Sequence, residues 1–198
     1  MSILIDPARD ALVAVDVQRD FCPGGSLAVP EGDLVVPVIN RLLVASWPAV
    51  ATRDWHPPDH CSFVAQGGPW PPHCVAGTPG AEFHPDLHAW RFRHVISKAT
   101  TRAAEAYSGF QGTDLATLLR GAGIRRLVVA GLATDYCVKA TALDGRRAGF
   151  DVVVLADAVR GVEARPGDCA AAMAEMREAG VRVAESVELD LPAASPAA

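Results

Sequence analysis

The chain has 198 residues, half of them apolar, and a formal net charge of −5. This is enough apolar sequence to fill the core of one compact domain. No stripe of Lys and Arg is present, which argues against nucleic acid as a partner, and the longest apolar run is too short to span a membrane. Residues 1–16 lack the basic and apolar segments of a signal peptide, so we expect a cytoplasmic protein.

Apolar runs rich in Val, Ile and Leu recur along the chain and predict buried strands. Most are apolar on both faces, which is typical of strands that helices cover from two sides. Between them lie segments with helical periodicity, and most of these end at a glycine. The predicted strands are 11–16, 49–54, 94–98, 126–132, 151–157 and 181–185, and the predicted helices are 33–46, 113–121, 135–148 and 167–179.

This alternation predicts a three-layer α/β fold, in which a six-stranded, mostly parallel sheet carries helices on both faces. Residues 55–93 break the pattern, because they are rich in proline and have little periodicity. A long irregular segment inside a compact domain usually carries function. We therefore predict one domain over residues 1–191, with a functional loop at 54–90. Residues 192–198 are small or proline, and we predict a disordered tail there.

Four ionisable side chains fall at the carboxyl ends of successive predicted strands. Asp16, Asp54 and Lys98 end the first, second and third strands, and Cys137 lies in the first turn of the helix that follows the fourth. Parallel strands present their carboxyl ends at one edge of the sheet, where ligands bind. Each residue alone is compatible with a structural role, but four of them at one edge indicate a site.

The four residues have the chemistry of acyl transfer through a thiol nucleophile. A thiolate at a helix N-terminus is stabilised by the helix dipole, and Lys98 nearby would stabilise it further. Asp16 can take the thiol proton and later give it to a leaving amine. The turn at 131–135 can offer backbone N–H groups to an oxyanion. The alternative for Cys137 is a small buried side chain, which is the common state of a free cysteine.

Residues 53–80 concentrate histidine, aspartate and cysteine among prolines and aromatics. Asp54 and His56 are two residues apart in an extended segment and therefore project the same way. His60 and His73 can fold back onto them. Aspartate with histidines and room for water suits Zn²⁺, Fe²⁺ or Mn²⁺. The sequence thus favours a metal site, and the alternative is a Pro-rich loop with exposed histidines.

The five cysteines are odd in number and irregular in spacing, which predicts thiols in place of a disulfide framework. Cys61 and Cys74 each follow a histidine directly and would point away from it in an extended chain, so neither is assigned as a metal ligand. A disulfide between these two cysteines is the less favoured alternative. Trp70, which is flanked by prolines, is the best candidate to stack on a planar substrate.

The candidate residues lie in short motifs that run in order from about residue 11 to 185. The motif D-x-H followed by WPPHC is more specific than the Asp, Lys and Cys set alone. Together the motifs resemble the nicotinamidases of the isochorismatase-like cysteine hydrolases. The matching segments are 16-DVQRDF-21, 54-DWHPPDH-60, 70-WPPHCVAGTPGAEFH-84, Lys98, 107-YSGF-110 and 131-GLATDYCV-138.

This resemblance implies a catalytic triad. Asp16 matches the general base, Lys98 the triad lysine and Cys137 the nucleophile. The backbone N–H groups of Ala133 and Cys137 match the oxyanion donors, and a cis peptide bond is expected between Leu132 and Ala133.

The resemblance also implies one divalent metal ion per chain, either Zn, Fe or Mn. Asp54, His56 and His73 match its ligands, and His60 matches a histidine that is a ligand in some members. Three aromatic side chains match the residues that bind the substrate ring: Phe21, Trp70 and Tyr107.

The implied reaction is the hydrolysis of nicotinamide to nicotinate and ammonia through a cysteine thioester, as a step of NAD recycling. The implied partner is a small pyridine carboxamide, pyrazinamide included. We expect a monomer or a homodimer, since an exposed apolar helix face could support a dimer. One alternative is a related cysteine amidase that acts on an N-carbamoyl or ureido amide, although such enzymes generally lack the D-x-H loop. The alternative of another class is a non-catalytic metal-binding or redox-sensing domain.

Overall fold

The computed structural model describes residues 2–194. Its strands are β1 (Ile3–Leu4), β2 (Asp10–Val15), β3 (Ala49–Asp54), β4 (His94–Lys98), β5 (Arg126–Leu132), β6 (Asp151–Arg160), β7 (Arg182–Ala184) and β8 (Leu189–Asp190). Its α-helices are α1 (Val35–Val44), α2 (Leu115–Gly121), α3 (Lys139–Arg147) and α4 (Asp168–Glu178). No helix in this part of the chain has the length and apolar content needed to cross a membrane.

Six strands form one parallel sheet in the order β4-β3-β2-β5-β6-β7. This confirms the predicted six-stranded α/β architecture. The strands after β2 first extend the sheet on one side, and β5 then returns to pair with β2 on the other side. Ligands bind beyond the carboxyl ends of the strands at such a reversal, so the fold places a crevice between β2 and β5.

The core consists of two apolar layers, one on each face of the sheet. Along β2, Leu12 and Ala14 face the layer that contains α1, and their neighbours Val13 and Val15 face the layer that contains α2 and α3. Every residue of β2 is buried, because both faces are covered. The apolar runs of the sequence have this physical origin.

The segment predicted as one helix over 135–148 has two parts. A π-helical turn, Thr134–Val138, precedes α3. Ahead of this turn, Gly131 has φ +116°, and a Cβ atom there would lie 2.1 Å from the Val15 carbonyl oxygen. Glycine therefore allows β5 to approach β2 closely just before the chain turns toward the carboxyl edge.

Two short strands at the ends of the chain pair with each other. β1 and β8 form a parallel two-stranded ribbon, with Ile3 opposite Leu189. Near it, the Ser46 N–H donates to the Ala193 carbonyl at 3.1 Å. The predicted disordered tail, 192–198, remains a prediction, since residues 195–198 lie outside the described residues.

The segment between β3 and β4 is irregular, as predicted, and holds only short 3₁₀ turns, at Val64–Gln66, Pro79–Ala81 and Ala89–Arg91. Isolated bridges join His56 to Val75 and Phe63 to Trp70. This long loop leaves from the carboxyl end of β3, so its first residues line the edge where ligands are expected.

Candidate active site and metal centre

The carboxyl ends of four adjacent strands bring the predicted polar residues together. Asp16 directly follows β2 and has φ +49°, which turns the chain away from the sheet. Asp54 and Lys98 end β3 and β4, and Cys137 lies in the turn after β5. All four residues are buried, with exposed fractions of 0, 4, 1 and 6%. Buried ionisable groups need partners, and here they supply one another.

The Lys98 ammonium lies at the centre of this cluster. Its Nζ is 2.9 Å from Asp16 Oδ2 and 3.5 Å from Cys137 Sγ, and it donates to Asp54 Oδ1 and to the Ala106 carbonyl. Burial alone would lower the pKa of Lys98, but the carboxylates of Asp16 and Asp54 outweigh it and hold that pKa well above its ordinary value. The lysine is therefore a fixed positive charge.

Asp16 and Cys137 form a carboxylate and thiol pair. Their reactive atoms and an oxygen of Asp54 all lie within 4.8 Å of one another. The Thr52 hydroxyl donates to Asp16 Oδ1 at 2.6 Å and orients that carboxylate. Burial raises the pKa of Asp16, while Lys98 opposes the shift.

The Cys137 thiol is buried among charged groups that act on its pKa in opposite directions. Burial raises the pKa of its thiol well above the ordinary value, Lys98 opposes the shift, and the carboxylates of Asp16 and Asp54 add to it. A raised pKa favours the protonated form of the thiol, and Asp16 lies beside it as the acceptor for the proton. Activation of the nucleophile therefore requires a proton transfer.

A second cluster shares Asp54. One ligand atom from each of Asp54, His56 and His73 lies within 4.8 Å of the other two. His56 Nδ1 is 3.3 Å from the Ala99 carbonyl oxygen, and His73 Nδ1 is 2.8 Å from that of Pro71. Because a carbonyl oxygen only accepts hydrogen bonds, each Nδ1 carries the proton. Each Nε2 is then unprotonated and has a lone pair that can bind a metal ion.

These residues fit a divalent cation. His56 Nε2 is buried, has no hydrogen-bond partner among the described residues, and lies 3.5 Å from Asp54 Oδ2. An unpaired buried nitrogen beside a carboxylate is costly unless a ligand satisfies it. Burial lowers the pKa of His73, which favours the neutral imidazole that metal binding requires. The donor set is borderline in softness and suits Zn²⁺, Fe²⁺ or Mn²⁺.

The structure does not bring His60 into this group. Its ring stacks against His56 with centroids 4.2 Å apart. Its Nδ1 is 2.7 Å from Ser62 Oγ, and its Nε2 is 3.2 Å from the Ala104 carbonyl oxygen. Both ring nitrogens therefore have protein partners, and neither is left free to bind a metal.

One pocket is lined by residues of both clusters. Cys137 and Ala133 come from the turn after β5, and Asp54 and His73 come from the group of potential metal ligands. The three aromatic residues predicted to bind a ring also line it: Phe21, Trp70 and Tyr107. No sequence pattern pointed to the remaining lining residues, which are Leu27, Val29, Glu105, Tyr136 and Val162.

The aromatic side chains of the pocket hold each other in place. Trp70 Nε1 donates to the Tyr107 hydroxyl at 3.0 Å, and its ring meets the Tyr136 ring edge-on at 5.2 Å. Phe21 packs against His73, with centroids 5.5 Å apart. A planar ring suits such a pocket, because these walls are flat and largely apolar.

The turn that carries Cys137 begins at Ala133, which has extended backbone. The peptide bond between Leu132 and Ala133 is cis, as the resemblance implied. Sequence reasoning missed the residue that anchors this turn, Asp135. Its carboxylate accepts the N–H groups of Val162 and Glu163, both at 2.9 Å. An acidic residue in a helix first turn is common, and no local pattern distinguishes this one.

Comparison with known proteins agrees with this geometry. Residues 10–188 match the isochorismatase domain family. The chain is 43% identical over 197 residues to a nicotinamidase of Escherichia coli, covering 86% of this chain and 92% of that protein. The fold superposes on PnC1 of L. infantum, solved in complex with nicotinate, with a TM-score of 0.91, 42% identity and coverage of 96% and 98%. It also superposes on a pyrazinamidase of Pyrococcus horikoshii in complex with zinc, with a TM-score of 0.84, 51% identity and coverage of 89% and 99%.

Proposed function

Because the chain belongs to the isochorismatase family, we propose that it is a nicotinamidase, which hydrolyses nicotinamide to nicotinate and ammonia. One observation carries this proposal: a single pocket is lined by the Cys137 thiol and by two of the three potential metal ligands, Asp54 and His73. A pyridine carboxamide has two polar ends that suit these groups, an amide for the thiol and a ring nitrogen for the metal site. The similarity to nicotinamidases supports the substrate assignment.

The first half of the proposed reaction forms a thioester. Asp16 takes the thiol proton of Cys137, and the sulfur attacks the carboxamide carbon. The backbone N–H groups of Ala133 and Cys137 stabilise the resulting oxyanion. The C–N bond then breaks, Asp16 returns the proton to the leaving nitrogen, and ammonia departs.

The second half releases the acid. Asp16, again a carboxylate, takes a proton from water, whose oxygen attacks the thioester carbon. The C–S bond breaks, Asp16 returns its proton to the Cys137 sulfur, and the acid leaves as nicotinate after losing its remaining proton to solvent. Lys98 keeps its charge throughout, because its two carboxylate partners hold its pKa well above its ordinary value, so it orients Asp16 and stabilises the developing thiolate.

Asp54, His56 and His73 would hold one divalent ion, which, when bound, supplies a Lewis acid toward the ring nitrogen or toward a water that bonds to it. The zinc complex of the related pyrazinamidase supports this assignment. His60 is left out of this ligand set, because both of its ring nitrogens have protein partners. Phe21, Trp70 and Tyr107 would confine the ring, and the same walls would accept pyrazinamide.

The proposal is tested by ammonia release from nicotinamide, measured on the purified protein before and after chelation, with metal content determined on the same sample. We expect release that falls as metal is removed and returns when zinc, iron or manganese is added back. The absence of ammonia release while metal is fully bound would contradict the substrate assignment. N-carbamoyl and ureido amides would then be the next substrates to assay.

Replacing His56 by alanine should empty the metal site. We expect the zinc content to fall from about one per chain to near zero, since one of three ligands is lost, and KM to rise at least as much as kcat falls if the metal mainly positions the ring. His60→Ala should weaken zinc binding by only about tenfold, which is typical of a residue that contacts a metal ligand but does not bind the metal. Zinc content by atomic absorption and steady-state kinetics measure both effects.

The control for these variants is His94→Ala. His94 is exposed and begins β4, at the opposite end of that strand from Lys98. It should keep wild-type zinc content and kinetics. Equal zinc loss in the His56 and His60 variants would contradict the three-residue ligand set and make His60 a fourth ligand.

A further inference from the structure

Asp54 sits where two strands part. β2 pairs with β3 as far as Val15 opposite Thr52, and the Asp16 N–H donates to the Thr52 carbonyl at 3.2 Å. At Asp16 the backbone turns out of the sheet, whereas β3 continues for two more residues. The N–H and C=O of Asp54 therefore face a place that β2 has already left, and buried backbone groups without partners are costly.

The side chain of Gln18 fills that place. Its Oε1 accepts the Asp54 N–H at 2.8 Å, and its Nε2 donates to the Asp54 carbonyl at 2.8 Å. These are the two bonds that a neighbouring strand would make. The second Nε2 hydrogen goes to the Ala81 carbonyl at 2.9 Å, and the side chain is completely buried. Both donors and the acceptor of the amide are thus used.

Gln18 is also bonded to Asp16, because the backbone N–H of Gln18 donates to the Asp16 carbonyl at 2.8 Å. One residue therefore bonds to the backbones of both aspartates whose carboxylates contact Lys98. The carboxylate of Asp54 serves both clusters, since Oδ1 accepts from Lys98 and Oδ2 faces His56 Nε2 at 3.5 Å. A small rotation of Asp54 would disturb the ion pair and the metal ligands together.

We propose that Gln18 is a positioning residue that replaces the missing strand beside Asp54, and so holds the carboxylate geometry of the triad and of the metal cluster at once. It touches neither substrate nor metal, and it acts through Asp54. The kinetic part of this inference rests on the proposed nicotinamidase function, whereas the metal-binding part does not.

The test compares Gln18→Met with Asn40→Leu. Methionine keeps the volume of glutamine and removes all three side-chain bonds. Asn40 is a matched control remote from the pocket, because its amide likewise donates to one backbone carbonyl, that of Asp86, and accepts one backbone N–H, that of His88. We expect both variants to lose thermal stability, since both lose bonds to backbone groups.

Only Gln18→Met should also lose function. We expect its zinc affinity, measured by competition with a chromogenic chelator, to fall about tenfold or more, and its kcat at saturating zinc to fall by a similar factor. Asn40→Leu should keep both values. Gln18→Asn, which is one methylene shorter, provides the same comparison should the methionine variant fail to fold.

Zinc affinity and kcat that stay within about twofold of those of Asn40→Leu would overturn the inference and leave Gln18 an ordinary structural residue. A wild-type protein that binds zinc but does not hydrolyse nicotinamide would overturn the proposed substrate instead. In that case the zinc comparison alone still decides the role of Gln18.

Discussion

Replacing Cys137 by alanine is expected to lower kcat for nicotinamide by at least about 10⁵-fold, because no other group can form the thioester. Cys137 is the cysteine that lines the pocket, and its Sγ is 3.5 Å from the Lys98 ammonium. Removal of a small buried atom should leave the fold and the metal cluster intact. We therefore expect unchanged zinc content and measurable nicotinamide binding by calorimetry in the inactive variant.

Cys169→Ala is the matched control. Cys169 lies in the first turn of α4, and its backbone N–H donates to Glu163 at 3.0 Å. It does not line the pocket, so its alanine variant should retain wild-type kcat and KM. A Cys137 variant that keeps even a hundredth of the activity would argue for a different mechanism, such as direct attack by water.

The second large effect is expected for Asp16→Asn. Asparagine has nearly the same shape but cannot accept the thiol proton. Burial raises the pKa of the Cys137 thiol, which favours its protonated form and makes the transfer to Asp16 important. Loss of the base should therefore lower kcat by about 10³- to 10⁴-fold, with a smaller change in KM. The alkylation rate of Cys137 by iodoacetamide should also fall, and this measures activation of the thiol without any substrate.

Asp10→Asn separates this effect from simple destabilisation. Asp10 begins β2, the strand that leads to Asp16, and is likewise buried in an ion pair, with Arg126 Nε 3.0 Å from its Oδ1. Breaking this pair should lower the melting temperature, yet kcat should stay close to wild type because Asp10 lies at the other end of the strand. Equal losses of activity in the two variants would contradict the base role of Asp16.

The sheet was predictable from the sequence because its strands are buried on both faces. Residues 11–16 and 126–132 are apolar without alternation, and the structure places them as adjacent central strands. The residues at the carboxyl edge of the sheet were predictable for the same reason, since Asp16, Asp54 and Lys98 end successive predicted strands. A parallel sheet then makes such residues neighbours whatever their separation along the chain.

The supporting residues were not predictable, since their partners are distant in sequence. Gln18 bonds to Ala81, 63 residues away, and Asp135 bonds to Val162, 27 residues away. Neither contact leaves a periodic pattern. His60 is a histidine in the right part of the sequence to be a metal ligand. Its two hydrogen-bond partners, however, depend on how the irregular loop folds, and loop geometry follows from many weak contacts. β1 and β8 are too short to produce a pattern.

The ribbon of β1 and β8 determines on which side of the molecule a fused tag or protein would emerge. The Leu4 carbonyl accepts from Arg126, the first residue of β5, so this ribbon lies at the amino edge of the sheet. The pocket lies at the carboxyl edge, about 20 Å away along a six-residue strand. An affinity tag, a surface tether or a fused reporter protein attached at either end of the described chain would therefore emerge opposite the pocket. The chain can thus be immobilised through either end with its pocket facing the bulk solution.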